Sequence, residues 1–194
     1  MVAGGGSTRY GGVLKGLLPL GGRRIVDRVL DALAAACDDV FLVANDPAIA
    51  QALPDVRIHG DVGTEHGSLV GLYSGVSRVR DAALVVAWDM PFVSAELLQA
   101  LRKLGETRGV AVFPASPRGP EPLCAYYPAS TAVVMRRQIE RGVFRLGALV
   151  DGLSDSLIVP VAEVARFGDP QRLFANINSP LDLERSENVI HTGQ

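Results

Sequence analysis

Apolar residues gather in short runs at residues 40–44, 56–59, 83–87, 110–113, 123–127 and 157–161, without alternation with polar ones. An unbroken aliphatic run suits a strand covered on both faces, so these segments are expected to be buried strands. Between them the apolar spacing lengthens to the helical period, first at Ile25, Val26, Val29, Leu30 and Leu33. The same spacing returns at Leu97, Leu98, Leu101 and Leu104, after Ser94, a serine placed to cap a helix. Residues 68–79 and 131–140 predict two more helices, and Ser179-Pro180 opens a last one with a capping serine and a first-turn proline. Alternating strands and helices predict an α/β protein, a three-layer α/β/α Rossmann-like domain around a mostly parallel sheet. The longest loops, 60–67 and 114–121, are candidates to carry ligands, because ligands collect at strand C-terminal ends in such sheets.

The first strand is the anomaly. If the glycine-rich segment near the start follows a strand, Met1 and Val2 alone remain to form it, against about five residues in a usual strand. A truncated first strand is therefore expected: either the sheet lacks one member or the chain starts upstream of Met1, and the second is favoured. With 194 residues and 48% hydrophobic content, the chain predicts one domain over 1–194, without linker or repeat. A net charge of -2 provides no basic field for nucleic acid or an anionic membrane. No apolar run approaches the roughly 18 residues of a membrane span, and the start has no signal-peptide pattern, so a cytoplasmic location is expected. Cys37 and Cys124 stand far apart, which argues against a disulfide scaffold or a cysteine-rich zinc site.

The chemistry concentrates in three segments. In Ala3-Gly4-Gly5-Gly6-Ser7-Thr8-Arg9-Tyr10-Gly11-Gly12-Val13-Leu14-Lys15, clustered glycines let backbone N–H groups surround phosphate oxygens, and Arg9 and Lys15 supply positive charge. It is neither a Walker A loop nor GxGxxG, and read alone it also fits an unstructured terminus. In Ala87-Trp88-Asp89-Met90-Pro91-Phe92 a hydrophobic strand runs into a carboxylate, a good ligand for phosphate-borne Mg2+ or, equally, a turn-capping aspartate. Asp61, after another strand, is a weaker second carboxylate. In Asn176-Ile177-Asn178-Ser179-Pro180, two asparagines at i and i+2 could bond a heterocycle or phosphate, or simply cap the last helix. His59, His66 and His191 lack ligand-spaced partners. Ser74 in Gly71-Leu72-Tyr73-Ser74-Gly75 is one place late for a nucleophile elbow.

Taken together, Ala3-Gly4-Gly5-x-Ser7-x-Arg9-x-Gly11-x-x-x-Lys15, Leu18-Pro19-Leu20, Gly67-x-Leu69-x-Gly71, Asp89-Met90-Pro91-Phe92 and Asn176-x-Asn178-Ser179-Pro180-x-Asp182-Leu183 resemble the molybdenum cofactor guanylyltransferase family over nearly the whole chain. The resemblance implies a nucleotidyltransferase fold and transfer of GMP from Mg-GTP to the terminal phosphate of molybdopterin, releasing pyrophosphate. It implies Arg9, Lys15 and Asp89 as catalytic residues, with Asp89 holding Mg2+. Val2, Ala3, Gly4, Gly5, Lys15, Asn45, Asp61 and Asp89 would bind the nucleotide, and Arg145, Asn176 and Asn178 the pterin and its phosphate. Partners in the same pathway, such as molybdoenzymes, are also implied. The chain departs from the family at Leu14, where Asp is common, at Ser68, where Pro is usual, and at Trp88, where Cys is frequent. Competing readings are a cytidylyltransferase or other NTP-transferase of this fold, and a non-catalytic nucleotide- or molybdopterin-binding protein.

Overall fold

The structure, a computed structural model, describes residues 1–3, 9–10 and 13–192; for residues 9, 10, 13, 191 and 192 it describes the backbone alone. Gly4 and Gly5 of the glycine-rich segment lie outside the described residues. After residues 1–3 come two small antiparallel pairs, β1 (Arg9–Tyr10) with β2 (Val13–Leu14), and β3 (Pro19–Leu20) with β4 (Arg23–Arg24). Helix α1 (Ile25–Ala34) then leads to β5 (Leu42–Val43), α2 (Pro47–Ala52), β6 (Ile58–His59), α3 (Ser68–Val76), β7 (Ala82–Val86) and α4 (Ala95–Arg108). The second half runs β8 (Ala111–Ser116), β9 (Gly119–Pro120), β10 (Cys124–Pro128), α5 (Ala132–Glu140), α6 (Leu146–Gly152), β11 (Ser156–Val159), α7 (Val161–Val164), α8 (Pro170–Leu173) and α9 (Pro180–Thr192).

Val2 pairs in parallel with both Val43 and Ala87, so residues 1–3 occupy the slot between β5 and β7. The sheet therefore reads β6, β5, residues 1–3, β7, β10, β8, β11, with β10 antiparallel to its neighbours. The first member of the sheet is therefore present, as residues 1–3. A cavity of about 360 Å³ lies beneath it, lined among others by Met1, Phe41, Leu84 and Tyr126.

Successive strand residues feed two separate cores, which explains the unbroken apolar runs. Leu84, Val86, Val112 and Tyr126 pack with Val29 and Leu33 of α1 and Leu97 and Leu101 of α4. Val85, Phe113, Ala125 and Tyr127 point the other way, against Leu69 and Leu72 of α3, Met135 of α5 and Leu149 of α6. Ser94 caps α4 as its position predicts, its Oγ accepting from Leu97 N at 3.2 Å, and Gly109 ends the helix in the left-handed region at φ 68°.

Two expectations are corrected. The run at 157–161 is an edge strand that ends at Val159, with Ile158 half exposed, because β11 pairs with β8 alone and α7 begins at Val161. Residues 114–121 are not a free loop: β8 continues to Ser116 and turns back as β9. Helices α2, α6, α7 and α8 are too short to show a helical period.

Gly105 of α4 faces the Tyr126 ring so closely that a β-carbon there would overlap it. Alanine improves helix propensity by about 1 kcal/mol, whereas overpacking a filled core costs roughly 1–3 kcal/mol. Gly105→Ala is expected to lower stability despite the better helix former, read as a fall in the urea midpoint with an unchanged m-value.

Candidate active site

Residues 1–3, β5, β6 and β7 are mutually parallel, so the segments that follow them emerge at one edge of the sheet. These segments are the glycine-rich run, Asn45, Asp61 and Asp89. Each was a site candidate, and the topology supplies the reason they share an edge.

Lys15 heads a short 3-10 turn, Lys15–Leu17, and is 2% exposed. A buried ammonium must be hydrogen-bonded, and its Nζ donates to Asn178 Oδ1 at 2.8 Å across 163 residues of sequence. The next residue, Gly16, lies on the Trp88 indole: a β-carbon at Gly16 would come within 2.8 Å of Cδ2. The bulky residue before Asp89 is thus accommodated by the missing side chain at Gly16. Asp89 is half-buried. Burial raises its pKa above the ordinary 3.8, opposed by a hydrogen bond from its own backbone and by the charge of Lys15.

The asparagine segment packs on this loop through its backbone, Ile177 N donating to Asp89 O at 3.0 Å. Ile177 also joins Leu20 and Ile25 in a small core shared with Phe92 and Leu183, which fastens both ends of the chain beside Asp89. Asp182 accepts from Asn178 N at 3.0 Å. Burial pushes the Asp182 carboxyl up, but hydrogen bonds from Ser179 and from the Asn178 and Ser179 backbones outweigh it and leave the pKa lowered. Ser179 Oγ caps α9 by accepting from Asp182 N at 3.2 Å.

Lys15, Asp89, Asn176 and Asn178 therefore converge. Their readiness differs: the Asn178 carbonyl oxygen is engaged by Lys15, whereas Asn176 Oδ1 is buried with no hydrogen-bond partner. Asn45 and Asp61 form a reciprocal pair, Asn45 Nδ2 donating to Asp61 Oδ2 at 2.7 Å and Asp61 N to Asn45 Oδ1 at 2.8 Å. Val2 and Ala3 are buried in the sheet, where their backbones hold the strand that leads into the glycines. The Arg9 side chain lies outside the described residues. Arg145 sits exposed just before α6, its carbonyl accepting from Gln138 Nε2 at 2.8 Å. Among the described residues its side chain makes no hydrogen bond or ion pair with Asn176 or Asn178.

Two supporting roles escaped the sequence reading, which weighed Ser74 only as a nucleophile. Ser74 is fully buried; its hydroxyl donates to Val70 O and accepts from Val62 N at 2.8 Å. Arg78 Nη2 donates to Gly60 O at 3.0 Å. Together they tie the Asp61 loop to α3, a role that no motif announces because it depends on a helix and loop meeting in space.

Among the described residues no three His, Cys, Asp or Glu gather to hold a metal, and no helix is long and apolar enough to cross a membrane. Asp89 nevertheless suits a hard cation that brings oxygen ligands from its own phosphates, since one carboxylate then suffices. A mostly parallel sheet, a glycine-rich segment leaving its central strand, a buried lysine and a carboxylate at one edge define a nucleotidyltransferase.

A model of the MobA-like NTP transferase domain matches residues 1–152. The molybdenum cofactor guanylyltransferase of Desulfosudis oleivorans is 33% identical over all of this chain and 96% of its own length. A probable molybdenum cofactor guanylyltransferase of Methanosarcina mazei is 31% identical over 95% of this chain and 87% of its own. The crystal structure of molybdopterin-guanine dinucleotide biosynthesis protein A from Archaeoglobus fulgidus superposes with a TM-score of 0.84 at 30% identity, covering 98% of this chain and 97% of that one. The chain belongs to the MobA-like NTP transferase family. It is an enzyme of nucleotidyl transfer, which removes the reading as a non-catalytic binder.

The raised pKa of Asp89 gives a pH prediction. A carboxyl that holds its proton more tightly when folded makes stability fall as pH rises from the unfolded value near 3.8 through the higher folded value. Asp89→Asn removes that titration. Lowering the pH from neutral toward 4 is therefore expected to stabilise the wild type relative to Asp89→Asn, measured as the difference in denaturation free energy at each pH; a pH-independent difference would refute it.

Proposed function

We propose that the enzyme transfers GMP from Mg-GTP to the terminal phosphate of molybdopterin, forming the guanine dinucleotide and pyrophosphate. The observation that carries this reading is the buried ammonium of Lys15, held by Asn178 and near enough to Asp89 for its charge to act on that carboxyl. Guanine and molybdopterin come from the names of the relatives.

The reaction brings two anions together, so charge is the main barrier. An acceptor phosphate oxygen forms a bond to the α-phosphorus as the bond to the β-phosphate oxygen breaks, and pyrophosphate leaves with that electron pair. The ammonium of Lys15, fixed by Asn178, places positive charge where negative charge accumulates on the transferring and leaving phosphates. Asp89 would hold Mg2+, which when bound neutralises phosphate charge and draws the triphosphate into a defined conformation. The glycines that follow Ala3 would offer backbone N–H groups to the nucleotide, with Val2 and Ala3 holding that segment in the sheet, Asn45 and Asp61 facing the nucleoside and Arg9 adding a second cation. Arg145, Asn176 and Asn178 would receive the acceptor. That acceptor is already an ionised phosphate, so no general base is needed and positioning does most of the work.

Thermal shifts with GTP, CTP and ATP, each with and without Mg2+, test the nucleotide. A Mg-dependent shift with GTP, followed by molybdopterin-dependent release of pyrophosphate, is expected. A shift with CTP alone would move the protein to cytidylyl transfer. Lys15→Ala and Asp89→Asn are each expected to lower kcat/KM by about a hundredfold or more, the scale of losing one fixed electrostatic group.

A further inference from the structure

The β8–β9 hairpin brings a residue to the site edge that no motif marks. Because β8 runs parallel to β7 across the intervening β10, its C-terminal end lies at the same edge as Asp89. Ser116, 4% exposed, shapes the turn: its Oγ accepts from Arg118 N at 3.0 Å and donates to Gly119 O at 3.4 Å, with Gly119 at φ 115°. The turn delivers the Arg118 guanidinium to the asparagine segment, where Nη2 donates to Phe174 O at 3.1 Å.

The rest of that guanidinium is uncommitted. The same Nη2 lies 3.4 Å from Glu121 Oε1, well beyond the roughly 2.7–2.9 Å of a strong charge-assisted bond. Nε and Nη1 make no hydrogen bond among the described residues, and the side chain is 67% exposed. Two residues along the chain from the anchoring carbonyl, Asn176 Oδ1 is buried without a donor among the described residues. A cation with spare donors is thus anchored to the segment that carries an acceptor lacking one, a combination that suits a ligand with both an anion and an N–H or O–H group.

We propose that Arg118 is the acceptor-side anion clamp, binding the phosphate monoester of the second substrate while Lys15 and Asp89 serve the triphosphate. This rests on the reading that the acceptor is a phosphate. Phosphate takes over the weak Glu121 contact, and the Phe174 carbonyl keeps the guanidinium in place. A fork held at one nitrogen loses little freedom on binding, which favours arginine over lysine here.

The test compares Arg118→Ala, Arg118→Gln and Arg118→Lys in the full chain by steady-state kinetics with Mg-GTP and molybdopterin. Ala and Gln are expected to raise the acceptor KM at least tenfold with GTP KM and Tm unchanged, and Lys to recover part of the loss. Gln keeps a donor for Phe174 without the charge, so a wild-type acceptor KM in Arg118→Gln would reduce Arg118 to a structural tie and overturn the proposal. An equal rise in GTP KM would also overturn it. Calorimetric titration with inorganic phosphate reads the clamp without turnover: at least tenfold weaker binding to Arg118→Gln is expected, and equal binding sinks the proposal. A wild type that binds phosphate through Arg118 yet transfers no nucleotide would refute the guanylyl-transfer reading and leave the clamp standing.

Discussion

The sheet is continuous because three residues at the start of the chain hydrogen-bond to both sides. Val2 N donates to Val86 O and Trp88 N to Val2 O, while Ala3 N donates to Val43 O and Val43 N to Met1 O. The Met1 nitrogen adds a bond to Phe41 O at 2.8 Å. Each such bond is worth about 1 kcal/mol net, but losing the segment would cost more, because it would leave the inner edges of β5 and β7 unpaired in a buried setting. The strand that joins the sheet is also the strand that launches the glycine-rich run. Fold continuity and the placing of the candidate site are therefore one constraint, and the side-chain cluster at Lys15 follows from it.

Lys15 converts that position into chemistry. Its ammonium is buried, and burial of a cation is tolerated only where hydrogen bonds replace water. One partner is the Asn178 amide. An amide oxygen satisfies a donor without itself cancelling the charge, and the charge of Lys15 acts on Asp89. A carboxylate at Asn178 would form a buried ion pair and neutralise the field. Because Asn178 comes from the far end of the sequence, this single contact also draws the last helix against the first loop, and the small core around Leu20, Ile25 and Ile177 keeps it there.

Much of this was readable from residue order. The central strands, the caps at Ser94 and Ser179, and the emergence of Asp89 from a buried strand follow from local pattern, since each depends on neighbours in sequence. What stayed hidden depends on partners far away in the chain. The run at 123–127 looks like its parallel neighbours because a strand buried on both faces is apolar whichever way it runs. Trp88 looked like a departure until Gly16 was placed against its ring. Arg145 was grouped with Asn176 and Asn178 by resemblance, and side-chain contacts do not link it to them. That residues 1–3 pair on both sides could not be read from their number, because the pairing depends on Val43 and Ala87 far along the chain.

The groups that the fold leaves energetically unsatisfied are informative in their placement. Asp89 carries a charge that burial disfavours, and Asn176 Oδ1 is a buried acceptor without a donor. A buried unpaired polar atom costs roughly 1–3 kcal/mol, a large fraction of the margin by which a domain is stable. Both features lie on segments joined by a backbone hydrogen bond, and both are costs that a cation at one and a hydrogen-bond donor at the other would relieve. Ile177 N on Asp89 O ties the two segments directly, so a group that orders one of them also orders the other, and the order gained at one need not be supplied again at its neighbour.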